Sequence, residues 1–350
     1  MPGPLLRGKA AMAVVFAVVL LLPHILRFMP QSDYLMDVAI TTAIYVTLAI
    51  GLNVTVGLAG LLDLGYIAFY GLGAYAAAIV IHGGAAQAAV SGGPGFWVAL
   101  PVALAVAAIA GLAIGLPTLR LRGDYLAIVT LAFGQIAKLS ENNWDWLTNG
   151  PQGMEVAKPL LFGAELRSPY VLYYIIAVIG IVTWACVRNL NNSAVGRAWV
   201  AIREDEIAAG AMGINVPKMK LLAFMTGAAF AGLAGAFFAS KSGFISPPSF
   251  DFIETIIILA MVVLGGMGSL PGVILGGIIL AILPEFLRSL PSILQMEGSF
   301  DITPYRMLIY GGAMVLIMFW RPEGLLPEAH RRRELHPNLA EGERKPVGHT

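Results

Sequence analysis

Four carboxylates lie in or beside long apolar runs of this 350-residue chain and are the first candidates for chemistry: Asp63, Asp124, Glu254 and Glu285. Ionisable side chains inside a membrane segment are costly, and they often relay protons or bind ions. All four fall near predicted ends or breaks of the apolar runs, so they form no chain of buried acids for a proton-driven carrier. No nucleophile has a partner base either, which argues against an intramembrane hydrolase.

Two glycine-rich motifs imitate nucleotide sites. Residues 3–10 (GPLLRGKA) nearly match a phosphate-binding loop, but Ala10 offers no hydroxyl for magnesium and no strand can precede it. Residues 71–76 (GLGAYA) match the dinucleotide fingerprint, but they lie inside an apolar segment. We therefore predict no nucleotide site and no cofactor in this chain.

Residues that could bind a metal are scattered. The single cysteine, Cys186, lies in an apolar run, where we expect a buried and inert thiol. None of the five histidines has a partner at ligand spacing. The sequence predicts neither a disulfide nor a metal site.

The composition is that of a membrane protein. Apolar residues make up 58% of the chain and charged residues 12%, whereas soluble proteins have roughly half and a quarter. Mean hydropathy is +0.78. No basic patch supports nucleic-acid binding. We predict an all-α fold, a polytopic bundle of transmembrane helices in the lipid bilayer.

About ten apolar segments are long enough to be spans. With the N-terminus inside, 15 Lys and Arg lie in the cytoplasm and 7 outside, as the positive-inside rule requires. This predicts cytoplasmic ends at 1–9 and 329–350 around a membrane domain, 10–328, whose longest outer loop is 141–168. Residues 1–22 resemble the front of a signal peptide, but no cleavage site follows and we favour an uncleaved first span.

Glycines interrupt two apolar segments, at 57–60 and at 265–272. Irregular backbone at membrane depth is tolerated where protein or a water-filled cavity satisfies it, so 57–60 is a candidate for a transport path. The alternative is that the glycines only let helices pack closely. Gly268, Gly272 and Gly276, spaced four residues apart, suit such a packing face.

The longest polar segment between two apolar runs covers residues 188–220. It carries five Lys or Arg, so we place it in the cytoplasm. Its middle, 202–213, predicts one short helix, which Pro217 prevents from continuing. One interpretation is a solvated connector, and the other is an element that a cytoplasmic partner grips.

A family resemblance favours the second interpretation. The loop contains Glu-x-Ala-Ala at 206–209 and Gly-Ile-x-x-Pro at 213–217, and it resembles the coupling loop of ABC-importer permeases. Further stretches, in the expected order, resemble the LivM-type permease of branched-chain amino-acid ABC importers: 51–78, 119–136, 142–154, 196–224, 262–277 and 321–328. A urea-carrying sibling group shares this plan, but RGDY at 122–125 and NGPQG at 149–153 look more like the amino-acid branch.

The resemblance implies a transport subunit of the bacterial inner membrane and not an enzyme. Its partners would be a second permease subunit, two cytoplasmic ATP-binding subunits and a periplasmic amino-acid-binding protein, and ATP would bind to the partner chains. The implied contacts with the ATP-binding subunits are Arg203, Glu204, Glu206, Ala208, Ala209, Gly213, Ile214 and Pro217.

A zwitterionic substrate such as leucine, isoleucine or valine needs dipoles along its path more than full charges. Given the resemblance, we expect the path to include Asn53, Thr55, Tyr66, Tyr70, Tyr125, Thr130 and Gln135. Competing interpretations are interfacial positions for the tyrosines and an intrahelical hydrogen bond for Thr130. The alternative functions are a urea or amide importer and, less favoured, an ATP-independent channel or secondary carrier.

Overall fold

The structure, a computed structural model, describes a large part of the chain. It covers residues 20–28, 31–82, 95–118, 121, 123–158, 160–161, 164–165, 168–293, 308, 311–312, 315, 319 and 324–326. The predicted domain borders at 9 and 328, most of the first and last predicted spans and the polar tail lie outside the described residues.

Helices dominate the described residues. Residues 20–26 belong to α1. The long helices are α2 (Ser32–Leu52), α3 (Tyr66–His82), α4 (Gly95–Thr118), α5 (Asp124–Asn143), α7 (Pro169–Asn191), α10 (Val216–Ser242), α11 (Phe252–Gly265) and α12 (Leu270–Ile293). The short ones are α6 (Asp145–Thr148), α8 (Ala194–Glu204) and α9 (Glu206–Ala211).

Six helical segments in the described part of the chain are long and apolar enough to cross a membrane. They are Ser32–Leu58, Gly95–Thr118, Pro169–Asn191, Val216–Ser242, Pro247–Gly265 and Leu270–Arg288. The predicted multi-pass helical bundle is therefore supported at this coarser level. α3 is too short for this group, and α5 is not in it although it has 20 residues.

Small residues let three helices meet at their backbones. Gly232 of α10 faces Gly73 of α3 on one side and Ala103 and Ala107 of α4 on another, and a Cβ on either glycine would collide with the neighbouring helix. Such faces allow the close van der Waals packing that holds membrane helices together. α10, rich in alanine and glycine, is the most buried of the six apolar segments.

The first predicted break is real. α2 continues into a π-helix, Asn53–Leu58, and the chain then runs irregularly to Gly65 before α3 begins. We call residues 53–65 the broken segment. The wider π-turn often occurs at functional sites, and hydrogen bonds such as Leu61 N–H to the Thr55 carbonyl, 2.8 Å, satisfy the irregular part.

The second break separates α11 from α12 as predicted. A Cβ on Gly272 would overlap the Gly265 carbonyl oxygen, and one on Gly276 would overlap that of Met261, so these two glycines form the expected packing face. Gly268 does not belong to that face. It lies in the turn with φ +88°, a conformation that favours glycine.

Two short antiparallel pairs involve residues of the predicted outer loop. β1 (Met154–Glu155) pairs with β4 (Phe244–Ile245), and β2 (Leu160–Leu161) pairs with β3 (Ala164–Glu165). The expectation that Cys186 is buried is wrong, because this residue of α7 is exposed on the surface of the chain. An apolar run predicts membrane burial, but it does not say which face turns towards neighbouring helices.

Candidate functional site

The single helix predicted over 202–213 is two helices, α8 and α9, which meet at Asp205. This residue has an extended backbone, with φ −154° and ψ 110°. Its Oδ1 accepts the backbone N–H groups of Ile207 at 2.8 Å and Ala208 at 3.0 Å. An aspartate that caps a helix in this way starts a new helix direction, so the polar loop turns a corner at Asp205.

An ion pair braces α9 against the start of α10. Lys220 Nζ lies 2.9 Å from Glu206 Oε1, and Lys220 is only 3% exposed. A lysine taken out of water needs such a counter-charge because desolvation disfavours its charged form. Ala209, the second alanine of Glu-x-Ala-Ala, is also buried.

The Gly-Ile-x-x-Pro motif forms the turn between α9 and α10. Gly213 has φ +87°, and a Cβ there would meet nothing within 4 Å, so glycine is favoured by the backbone conformation and not by crowding. Half-buried Ile214 follows. Pro217 lies in the first turn of α10, which Asn215 caps by accepting the Lys218 N–H at 3.2 Å.

The tip of the loop presents apolar side chains to its surroundings. Ile207 is 69% exposed and Met212 84%, and both lie at or next to α9. Glu204 and Ala208 are also exposed. Exposed apolar side chains ringed by polar residues are typical of a docking surface.

Arg203 lies at the other side of this loop and contacts the membrane bundle. Its Nη1 donates to the Gly57 carbonyl oxygen at 2.6 Å. Its stem packs on Gly60, where a Cβ would lie 2.5 Å from Arg203 Cγ. Arg203, predicted to contact an ATP-binding subunit, thus bonds to the broken segment.

Two predicted pathway residues lie buried within the broken segment itself. Asn53 Oδ1 accepts the Gly268 N–H at 2.9 Å, which ties the π-helix to the turn between α11 and α12. Thr55 Oγ1 donates to the Leu52 carbonyl at 3.0 Å. In this conformation both side chains form hydrogen bonds with backbone groups around the break.

Two predicted pathway tyrosines, Tyr66 and Tyr70, are buried as well. Tyr66 Oη donates to the Leu48 carbonyl at 3.0 Å. The Tyr70 ring packs edge-on against Phe250, with centroids 5.5 Å apart. Their contacts pack the start of α3 into the bundle.

Thr130 joins α5 to the broken segment. Its Oγ1 donates to the Ala127 carbonyl at 3.1 Å, as an intrahelical bond predicts, and it also accepts the Leu64 N–H at 3.0 Å. The neighbouring Asp63 is 1% exposed and accepts the Gly65 N–H at 3.0 Å. The sequence singled out Asp63 as a candidate for chemistry near a break, but it did not predict the bond to Gly65; the available signal was its position between Gly60 and Gly65.

The remaining two pathway candidates, Tyr125 and Gln135, are exposed on α5. They belong to a stripe on one face of this helix, called here the α5 stripe: Tyr125, Ile128, Ala132, Gln135, Ile136 and Leu139. The opposite face of α5 packs into the bundle through small residues, among them Gly134 against Gly65. The seven candidates therefore divide into five buried residues around the break and two on an open helix face.

Comparison with known proteins identifies the family of the chain. The family described as "Branched-chain amino acid transport system / permease component" matches residues 34–318. The chain is 42% identical to the high-affinity branched-chain amino acid transport system permease protein LivM of Escherichia coli K12, over 97% of this chain and 81% of the relative. The LivM protein of Salmonella typhimurium is 41% identical over the same shares.

The chain is also similar, at lower identity, to a second permease protein of branched-chain amino acid transport systems. The high-affinity branched-chain amino acid transport system permease protein LivH of Escherichia coli K12 is 26% identical over 82% of this chain and 93% of LivH. No solved structure matches the chain significantly. On the extent of the family match and the identity to LivM, the chain belongs to the permease components of branched-chain amino acid transport systems.

Proposed function

We propose that this chain is the membrane-spanning permease subunit of an ATP-driven importer for leucine, isoleucine and valine. The observation that carries the proposal is the exposed helix α9, which Asp205 caps and the Glu206–Lys220 ion pair braces against α10. A short rigid helix with apolar side chains at its tip fits a groove on a cytoplasmic protein. The family membership supplies the substrate class.

The partners follow from this assignment. A second permease subunit of the same family completes the membrane unit, two cytoplasmic ATP-binding subunits hydrolyse ATP, and a periplasmic binding protein delivers the amino acid. The chain itself binds no ATP and catalyses no reaction. Ile207 and Met212, the exposed apolar residues of the tip, join the predicted set as contacts with the ATP-binding subunit.

The topology we propose is about ten spans in the inner membrane with both ends in the cytoplasm. Its support is the excess of Lys and Arg on the inner side, 15 against 7. We also count the short α3 and the less apolar α5 as spans, because both pack within the apolar bundle. Gly65, just before α3, lies against α5.

The translocation path, we propose, runs along the α5 stripe. Tyr125 and Gln135 point outward from α5. Polar side chains are better accommodated by a water-filled path between two subunits than by the acyl chains of the bilayer. Thr130, on the side of α5 that packs on the broken segment, connects this surface to Leu64. Asn53 and Thr55 lie further along the broken segment, and we propose that a conformational change opens them to the path. Tyr66 and Tyr70 support the start of α3.

Labelled leucine uptake tests the function directly. Cells with and without the chain are compared before and after ATP depletion, with isoleucine, valine and urea as competitors. Uptake that needs the chain and ATP, and that isoleucine and valine suppress but urea does not, is the expected result. Suppression by urea would favour the urea or amide importer, and uptake without ATP would favour a channel or carrier.

A further inference from the structure

The coupling loop is fastened to the broken segment at one polar contact. Arg203 Nη1 donates to the Gly57 carbonyl oxygen at 2.6 Å. Gly57 lies near the end of the π-helix, where the last carbonyls have no N–H partner within the helix. A guanidinium satisfies such a carbonyl with a charge-assisted hydrogen bond, which is among the stronger kinds.

Apolar packing holds the two elements together around this bond. Trp199 of α8 is fully buried in one cluster with Val54 and Leu58 of the π-helix. Gly60 has φ +69°, and a Cβ there would lie 3.1 Å from Arg203 Cβ. α8 and the broken segment are thus in close contact, and we expect them to move together.

α8 ends at the corner formed by Asp205, and α9 begins immediately after it. A displacement of α9 by a partner reaches α8 along the chain through one extended residue, Asp205, and through α10, to which Glu206 and Trp199 are both bonded. On the membrane side the broken segment is bonded to two further parts of the bundle. Gly268 in the turn after α11 donates to Asn53, and Leu64 donates to Thr130 of α5.

We propose that Arg203 is a positioning residue, which transmits the movement of α9 to the broken segment and thereby to the face of α5 along which substrate passes. This inference rests on the proposed function, because it presumes that ATP drives the import. The competing explanation is a static contact that only stabilises the fold. The two differ in whether loss of the bond changes the amount of leucine imported per ATP hydrolysed.

The first experiment uses Arg203→Met in the complete transporter, reconstituted in liposomes with its binding protein. Methionine keeps an unbranched stem against Gly60 but has no donor. We expect normal assembly and ATP hydrolysis, and a fall of about tenfold in labelled leucine imported per ATP, within the usual range of coupling factors. Arg203→Lys, which keeps a donor, should recover part of the loss.

Arg197→Met is the matched control on the same helix. Its guanidinium bonds to the Asn192 carbonyl at 3.4 Å, away from the broken segment, and it is exposed. The leucine-to-ATP ratio should not change in this variant. An unchanged ratio in Arg203→Met, or a complex that fails to assemble, would assign Arg203 a purely structural role and overturn the inference.

A reversible covalent link gives a second test. Gly60→Cys and Arg203→Cys are combined with Cys186→Ser, which removes the only native thiol. A Cβ at Gly60 would lie 3.1 Å from that of residue 203, a few tenths of an ångström below the usual range of a disulfide, about 3.5–4.5 Å, so a small shift of α8 allows the bond. An added oxidant takes two electrons and two protons from the thiol pair, and a reducing agent returns them.

The oxidised double variant should regain coupling and lose it on reduction, while each single cysteine variant stays uncoupled in both conditions. An oxidised form that is no better coupled than the reduced one would overturn the inference. Failure of the proposed function looks different, because the unaltered transporter would then import leucine without ATP or not at all.

Discussion

Lys220 and Glu206 form an ion pair of 2.9 Å that joins the starts of two consecutive helices, with the lysine almost wholly buried. Glu206 belongs to the Glu-x-Ala-Ala pattern, whereas Lys220 lies beyond Pro217 in the apolar bundle. The glutamate therefore faces the membrane domain, and the exposed parts of α9 are left for a partner.

Glu206→Arg should abolish ATP-driven uptake while leaving membrane insertion intact. The substitution puts two cations at ion-pair distance, and breaking a buried pair costs on the order of 3 kcal/mol. Leucine uptake and the amount of chain in the membrane fraction are the measurements. The exchange of both charges, Glu206→Lys with Lys220→Glu, should restore part of the uptake; unchanged uptake in Glu206→Arg would contradict the assigned role of α9.

Ile207→Ser and Met212→Ser should each weaken binding of the ATP-binding subunit to the membrane complex. Burying an apolar side chain of this size contributes about 1.5–3 kcal/mol, so each loss corresponds to roughly ten- to a hundredfold in affinity. Subunit dissociation from purified complexes is measured in detergent. Trp146→Ser, a change at an exposed residue of the predicted outer loop, serves as the control, and equal effects at both places would argue against docking at α9.

Gly272→Leu should prevent α11 and α12 from packing. Even the Cβ of a larger residue would collide with the Gly265 carbonyl, and overpacking of a tight interface costs typically about 1–3 kcal/mol or more. Thermal stability and the yield of assembled complex are the readouts. Gly180→Ala is the milder control, since its Cβ would meet only the Thr47 hydroxyl, at 3.2 Å; normal assembly of Gly272→Leu would refute the small-residue interface.

Gln135→Cys, in the Cys186→Ser background, should react with a membrane-impermeant maleimide applied to the assembled transporter. Thiolates form readily in water but not among acyl chains, so labelling reports a wet surface. The control is Val178→Cys, at an exposed position of the apolar helix α7, which should react at least about tenfold more slowly. Equal labelling rates at the two cysteines would contradict the proposal that the α5 stripe lines the path.

Composition and glycine spacing were enough to predict the helical bundle, both breaks and the packing face at Gly272 and Gly276. These features depend on local sequence, since a glycine or proline acts on its own turn. The glycine-proline exit of the loop was predicted correctly, but the single helix over 202–213 was wrong. The corner at Asp205 was missed because aspartate is compatible with a short helix as well as with its cap.

The direction of each side chain could not be predicted. Arg203 and Glu206 are three residues apart in one polar run, yet one bonds to Gly57 and the other to Lys220. Those partners come from distant parts of the chain, and a single sequence carries no record of which parts meet. The same limit explains why Asn53, Tyr66 and Thr130, chosen as dipoles for a substrate, are bonded to backbone groups in this conformation.

α10 is one uninterrupted helix from Val216 to Ser242. At a rise of 1.5 Å per residue its 27 residues form a rod of about 40 Å. Near its first end Lys220 pairs with Glu206 of α9, and just beyond its other end β4 is paired with β1. We therefore expect a tilt of this rod at the end that contacts α9 to displace the β1–β4 pair at the other end, so that a protein bound to this pair would act on the same helix.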